Sequence, residues 1–252
     1  MTTIQFQLRQ ATHSDLPAIA ALISEGLSFD GLTIVQTAEE LEEDWGGPYC
    51  FLDQDVVVAE HESHIIGVGY TYFLPSETKE ERCYALGTVK PTFRRKGVGT
   101  ELQQWTTTRA EKLLRSTNRT IPKFLRSDVS TSNTSADFLF KKFNMRPVRW
   151  NEDLIIDLNQ SPEVFVSPGY CVIPWDTSRD EEARVVKNLA FMDHWGSTPT
   201  SEEGWEQLVH GSTAKLDQSF FALDSNNNIV GLLLSHRYES DDETLGKRIG
   251  WI

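Results

Sequence analysis

The chain of 252 residues is long enough for one large domain or two small ones, and its hydrophobic fraction of 39% favours a packed core over disorder. Because no run of about 18 apolar residues occurs, we expect no membrane span. The formal net charge of -13 argues against a nucleic-acid partner, since phosphate binding needs a basic face, and it weakly favours a cationic substrate such as an amine. Residues 1–10 lack the apolar centre of a secretion signal, which predicts a cytoplasmic protein.

The first part of the chain predicts four strands and two helices. Thr12 and Asp15 have the spacing of a helix N-terminal capping box, and Gly26 is expected to end that first helix. Alternating apolar residues and polar turns predict the strands. In chain order the predicted elements are β 4–10, α 13–26, α 37–45, β 55–61, β 65–74 and β 82–89.

A loop with two glycines and three cations follows the last of these strands. It reads Arg94-Arg95-Lys96-Gly97-Val98-Gly99-Thr100, and a helix is predicted over 98–116. Glycines let successive backbone amides turn toward a ligand, and amides at a helix start bind phosphate oxygens. A Walker loop would need Gly-Lys-Ser/Thr, and a Rossmann fingerprint would need a third glycine where Leu102 stands. The loop therefore predicts a pyrophosphate site, with a tight strand-to-helix turn as the alternative.

The remaining sequence predicts a strand over 122–128, a helix over 133–143 and a strand over 145–158, and then a repeat of the beginning. Thr177 and Asp180 repeat the cap spacing of Thr12 and Asp15. A strand pair over 220–223 and 229–238 repeats the earlier hairpin, with Gly231 in the place of Gly67. Each of the two features recurs at nearly the same distance along the chain from its first occurrence, which predicts two copies of one unit.

The repeat also predicts where the second copy stops. Ile252 corresponds roughly to Thr88, so the second copy is expected to lack its own phosphate loop, as in a truncated chain. We predict domains at 1–160 and 165–252, joined by a polar linker at 159–162. The end, 247–252, is predicted to be a strand whose open edge pairs with the first copy or with another chain, so a homodimer is possible.

The motif Arg94-x-x-Gly97-x-Gly99, after a strand ending Val89-x-Pro91, resembles the acetyl-CoA motif of the GNAT superfamily. The order of elements over 1–158 is similar to the fold of that family. The resemblance implies an α/β (α+β layered) fold, with a mixed, mostly antiparallel sheet flanked by helices, followed by an incomplete second copy. The tandem arrangement is similar to two-copy members such as mycothiol synthase.

The resemblance also implies a function. The chain would be an N-acetyltransferase that transfers an acetyl group from acetyl-CoA to an amine, expected to be that of a small molecule. Acetyl-CoA would lie between strands 82–89 and 122–128. The cofactor-binding residues would be Thr88, Val89, Arg94, Arg95, Lys96, Gly97, Val98, Gly99, Thr100 and Asn133.

One departure from the family pattern leaves the catalytic residues unassigned. Phe140 stands where the family has a tyrosine that protonates the departing thiolate, and Asn144 stands where it has a glycine. The chain could therefore be a non-catalytic acetyl-CoA-binding or regulatory domain whose active copy is truncated. Residues predicted to lie near the cleft are weak candidates on their own: Tyr70, Tyr72, Tyr84, Glu60 and His61. No pairing of the 3 cysteines or 6 histidines suggests a metal site.

Overall fold

The computed structural model describes residues 4–159 and 163–252, in two β-sheets with helices packed on them. Five strands form the first sheet and three the second, in the orders β1-β2-β3-β4-β5 and β6-β7-β8. The first sheet and its helices comprise β1 Gln7–Gln10, α1 Leu16–Phe29, α2 Ala38–Asp44, α3 Leu52–Asp55, β2 Val56–His61, β3 His64–Leu74, β4 Glu81–Val89, α4 Val98–Ser116, β5 Lys123–Arg126 and α5 Thr134–Lys142. The second part comprises β6 Cys171–Pro174, α6 Asp180–Ala190, α7 Glu202–His210, β7 Phe220–Leu223, β8 Ile229–Leu233 and α8 Glu239–Leu245.

The first sheet is mixed and mostly antiparallel, with helices on both faces. Strands β1 to β4 pair antiparallel, and β4 pairs with β5 in parallel. Successive side chains of a strand point to opposite faces, so β2 serves two cores. Val56 and Val58 pack with α1 and α2, whereas Val57 and Ala59 pack with α4. The predicted fold class is confirmed.

Helix α1 continues through Gly26, so the prediction that this glycine ends the helix is wrong. Gly26 is buried against β4, and a β-carbon built on it would lie 3.0 Å from Thr88 Cγ2. The missing side chain thus lets α1 approach the end of β4 closely, which outweighs the usual helix-ending tendency of glycine. The helix instead ends at Asp30 and Gly31, whose φ is 81°.

The second sheet repeats the first three strands of the first sheet. β6, β7 and β8 pair antiparallel in the same order as β1, β2 and β3, and α6 follows β6 as α1 follows β1. Ala59 lies opposite Gly67, and Ala222 lies opposite Gly231. The register shifts just after each of these alanines, because the partner strand carries one extra residue, Ile66 on β3 and Val230 on β8. A shared irregularity at equivalent positions supports the repeat, because bulges are specific features of a fold.

The prediction of a second capping box at Thr177 and Asp180 is wrong in its details. In the second copy the side chain of Asp176 accepts from the backbone N–H of Ser178, so Thr177 does not cap the turn. Asp180 accepts from Trp175 Nε1 at 2.8 Å instead of reaching back to a threonine. A tryptophan side chain close to the helix start competes for this carboxylate, which spacing alone does not reveal.

Two predicted strands do not form. Residues 145–158 adopt no regular structure, and Leu154 and Ile155 are 93% and 82% exposed. No partner strand among the described residues lies beside them, and an apolar pattern alone does not make a strand. In 247–252, only Trp251 pairs, through two 2.9 Å backbone bonds with His236 of the same chain. The predicted linker residues 160–162 lie outside the described residues, and the homodimer stays a prediction.

Among the described residues no helix combines the length and apolar character needed to cross a membrane.

Candidate functional site

Strands β4 and β5 separate from each other after a short stretch of pairing. They pair over Glu81–Tyr84 and Lys123–Arg126 and then diverge. At the point of divergence the Ser127 hydroxyl donates to the Ala85 carbonyl at 2.6 Å. The gap between residues 85–89 and 127–129, here called the splay, opens into a cavity of about 540 Å³ bounded by β4, α4 and α5.

Strand β4 presents unpaired backbone groups to the splay. The Ala85 carbonyl points toward β5, and the backbone groups of alternate residues point the same way, so Gly87 faces the splay. The backbone of Thr88, the next residue after Gly87, faces β3, as does that of Lys90, whose N–H donates to the Ile66 carbonyl at 2.9 Å. Thr88 can therefore reach the splay with its side chain but not with its backbone. The free edge suits an extended ligand with amide groups.

The glycine loop presents a row of free amides at the end of the splay. Within the described part of the chain, none of the backbone N–H groups of residues 95–99 has a hydrogen-bond acceptor. Gly97 is the N-cap of α4 with φ 98°, and a β-carbon on it would meet nothing within 4 Å. Free N–H groups at the start of a 19-residue helix form an anion site, because the helix dipole adds to them.

Arg94 anchors the loop to α1. Its guanidinium donates to both carboxylate oxygens of Asp30, at 2.6 and 3.0 Å, and to the Val89 carbonyl at 3.1 Å. Asp30 also accepts from Asn133 Nδ2 at 2.8 Å, while Asn133 Oδ1 caps α5 at the N–H of Ala136. One carboxylate thus joins α1, the loop and α5, and it neutralises the charge of Arg94.

Of the predicted cofactor residues, the structure brings most together around one cavity. Those that line it are Thr88, Val89, Arg94, Arg95, Gly97, Gly99, Thr100 and Asn133. Val98 is fully buried, so only its backbone is open to a ligand. Lys96 lies over the Phe93 ring at 4.9 Å, to one side of the cavity.

Sequence reasoning missed part of the lining and, in the anchor, missed Asp30 and its contacts with Arg94 and Asn133. Asp30 and Gln103 carry no motif, and their roles depend on contacts made by folding. Asp128 also lines the cavity, where burial raises the pKa of its carboxyl although the Arg126 guanidinium lowers it. Phe140 lines the cavity as expected and offers no acidic proton. The asparagine at position 144 has φ 57°, so it adopts the left-handed conformation that a glycine would.

The weak catalytic candidates have structural partners. Tyr70 packs on Trp45 with ring centroids 5.1 Å apart. Burial raises the pKa of Tyr70 well above its ordinary value, and the same holds for Tyr72. Glu60 accepts from Arg9 at 2.7 Å. The catalytic residues therefore stay unassigned, and no group of three His, Cys, Asp or Glu within the described ranges could hold a metal ion.

Residues 25–145 match the family model described as the acetyltransferase (GNAT) family. This segment is therefore similar to the GNAT family. It contains the loop at 94–100, the splay and Asp30, so the anchor lies within the matched region. No curated protein sequence matches the chain.

The fold of the chain is also similar to that of a solved structure. A GCN5-related N-acetyltransferase from Sphaerobacter thermophilus superposes with a TM-score of 0.68 at 24% identity, over 94% of this chain and 74% of that one. An aminoglycoside acetyltransferase from an uncultured soil metagenomic sample gives 0.43 at 17% identity, over 61% and 97%. Only the first likeness is strong enough to show the fold, and it extends over both sheets.

Proposed function

We propose that this chain transfers an acetyl group from acetyl-CoA to the amine of a small molecule. The observation that carries the proposal is the row of unpaired N–H groups at 95–99, which lies at the end of the splay. Those amides, with Arg95 and Lys96, would bind the pyrophosphate. The free edge of β4 would hold the pantetheine arm and bring the thioester toward Gly87.

The chemistry needs positioning more than it needs a reactive side chain. The ammonium first loses a proton to water, and the amine nitrogen then attacks the thioester carbonyl. The C–S bond breaks, and the thiolate leaves as the thiol, taking up through water the second proton that the nitrogen loses. Holding both reactants in line supplies much of the rate acceleration, and a backbone N–H directed at the carbonyl oxygen stabilises the developing oxyanion. The N–H of Gly87 is suited to that role because it faces the splay.

We further propose residues 1–160 as the cofactor-binding domain and residues 165–252 as the N-terminal part of a second copy without a phosphate loop. The repeated strand order and the paired bulges support this division.

The second candidate is a domain that binds acetyl-CoA without turning it over. Phe140 favours it, because this side chain lines the splay where an acid would protonate the thiolate. The two candidates differ in one measurable property, which is turnover.

Calorimetry with acetyl-CoA, followed by a thiol-release assay with a panel of amines, tests both candidates on the full chain. Binding at one site with turnover of any amine supports the acetyltransferase. Binding without turnover across the panel supports the binding domain and overturns the enzyme. An absence of binding contradicts both.

A further inference from the structure

A second cavity of about 840 Å³ lies between the two sheets, on the face of the first sheet that carries Tyr72 and Arg82. Helix α2 and the end of β3 form one side of it. Helix α6, residues 194–200 and the segment around Tyr238 form the other. Neither half of the chain encloses this space alone, so the second copy completes a site that the first copy begins.

One wall of the cavity is acidic, and one of its carboxylates is free. Glu40 accepts from the N–H of Thr37, and Glu43 accepts from Ser212, so both are engaged. Asp44 lines the same wall and has no hydrogen-bond donor within the described residues. Packing around the carboxyl and the charges of Glu43 and Glu40 raise the pKa of Asp44 to about 6, although the residue as a whole is exposed and so open to a ligand. A cation bound beside Asp44 would relieve this unfavourable environment.

The opposite wall is basic and has too few carboxylates. Arg82 and Lys187 both line it. Lys187 donates to Thr200 at 2.6 Å and forms no ion pair with any described residue. Burial and the Arg82 guanidinium lower the pKa of the Lys187 ammonium. Two neighbouring cations, one of them without a counter-ion, form a place for an anion.

The one carboxylate near Arg82 is shared with a second arginine. Glu80 lies 3.8 Å from Arg82 Nε but only 2.6 Å from Arg126. Arg82 Nε is buried without a hydrogen-bond acceptor in the described part of the chain. That N–H has no accessible surface, so it is closed to a ligand in the cavity, and Arg82 Nη2 donates to Thr198 at 2.9 Å. Lys187, which has no ion-pair partner among the described residues, is therefore the main anion-binding group of this wall.

The two walls have an order relative to the splay. Asp44 directly precedes Trp45, whose ring packs on Tyr70 with ring centroids 5.1 Å apart. Tyr70 is the register partner of Leu86, which lines the splay. Arg82 lies four residues before Leu86, or ~13 Å away at about 3.3 Å per residue. Along the strands, Asp44 is thus nearer to the splay than Arg82 is.

We propose that this cavity binds an acceptor that carries an amine and a carboxylate at opposite ends, with the amine at Asp44 and the carboxylate at Lys187 and Arg82. The inference rests on the proposed function, since it places that amine at the end of the cavity nearer to the splay. The two ends of the acceptor would be roughly 7–13 Å apart, which corresponds to two to four residues along β4.

Three probes of about equal length test the effect of the charge at the end of the ligand that would face Lys187 and Arg82. They are 8-aminooctanoate, 8-aminooctanamide and 1,8-diaminooctane, which share one amine and differ in the other end. Ligand-observed NMR titration of the full chain, without coenzyme, gives their dissociation constants. We expect the carboxylate probe to bind about tenfold more tightly than the amide, as a charged hydrogen bond allows, and the diamine to bind least tightly.

Variants identify the residues. In Lys187→Gln the preference for the carboxylate over the amide should fall about tenfold, and in Lys187→Glu the diamine should become the preferred probe. Lys112→Gln, an exposed change on α4, is the matched control and should keep the wild-type order. Asp44→Asn should weaken all three probes alike, because the amine is common to them. Glu42→Gln on the same helix should not.

The outcomes separate this inference from the proposed function. Binding in the expected order supports the cavity assignment even when acetyl-CoA fails to bind. Equal affinities, a diamine preference in the wild type, an unchanged order in Lys187→Glu, or no binding of any probe overturns it. Acetylation of amines without a carboxylate preference would overturn this inference and leave the proposed function intact.

Discussion

Gly97 is the residue on which the phosphate loop depends most directly, because its φ of 98° orients the amides at the start of α4. An alanine there has free space but meets a conformational cost of about 1–2 kcal/mol. We expect Gly97→Ala to weaken acetyl-CoA binding about tenfold or more, measured by calorimetry, since the loop must either strain or turn its amides away. Gly246→Ala, a positive-φ glycine with free space in the second sheet's domain, is the control and should leave binding unchanged.

Single residues show how far the site can be read from the sequence. The motif at 94–100 was recognisable because its chemistry depends on local spacing, and most of its members line the cavity. The role of Arg94 was not recognisable, because its partner Asp30 lies far away in the chain. Asp44 and Lys187 were missed for the same reason: neither has a motif, and folding alone brings them to one cavity.

The start of α1 is an element whose stability depends on pH. Asp15 accepts from the Thr12 N–H and from the Arg9 guanidinium, which lowers the pKa of its carboxyl to about 2. Because this pKa is lowered on folding, the ionised carboxylate stabilises the fold at pH values above the ordinary pKa of 3.8, and the stabilisation is lost as the pH falls through about 2. We expect Asp15→Asn to reduce the free energy of unfolding by about 2 kcal/mol at pH 7 and by about half as much at pH 3, measured by urea unfolding.

The matched control for that change is Asp53→Asn, which alters an exposed carboxylate on α3. It should leave the free energy of unfolding unchanged at both pH values. An Asp15→Asn effect of the same size at pH 7 and pH 3 would contradict the assignment of the lowered pKa.

At the scale of elements, sequence periodicity identified most strands and helices but not where pairing stops. The helix over 98–116 was predicted with the bounds that the structure has. The strand over 145–158 was predicted from its apolar residues and does not form, because a strand requires a neighbour. At Gly26 the element is longer than predicted, since packing against Thr88 allows α1 to continue past this glycine.

At the scale of the whole molecule, the two sheets meet where α7 packs on the first copy. A β-carbon on Gly204 would lie 1.8 Å from the hydroxyl of Tyr49, whose ring packs on Tyr72. We expect Gly204→Ala to lower the free energy of unfolding by about 1–3 kcal/mol, as overpacking does, measured by urea unfolding.

A second background isolates the contact. In a Tyr49→Ala protein the clash is absent, so Gly204→Ala should become neutral or stabilising by up to about 1 kcal/mol through helix propensity. An equal loss in both backgrounds would mean that the sheets do not depend on this contact. The repeated strand order was predicted from the sequence, whereas the cavity between the two sheets was not, because residues from both parts of the chain line it.

The pairing of Arg94 with Asp30 has a consequence for how the loop would respond to ionic strength. Salt screens exposed charges, while hydrogen bonds from fixed amides act over short distances and are screened little. With Arg94 neutralised, Arg95 and Lys96 are the loop cations left outside ion pairs among the described residues. We therefore expect acetyl-CoA affinity to fall with rising salt as two cations would make it, and not three, measured by calorimetry in a series of chloride concentrations. A fall as steep as three cations would give would mean that the ligand draws Arg94 away from Asp30 and so releases α1 and α5 from their common anchor.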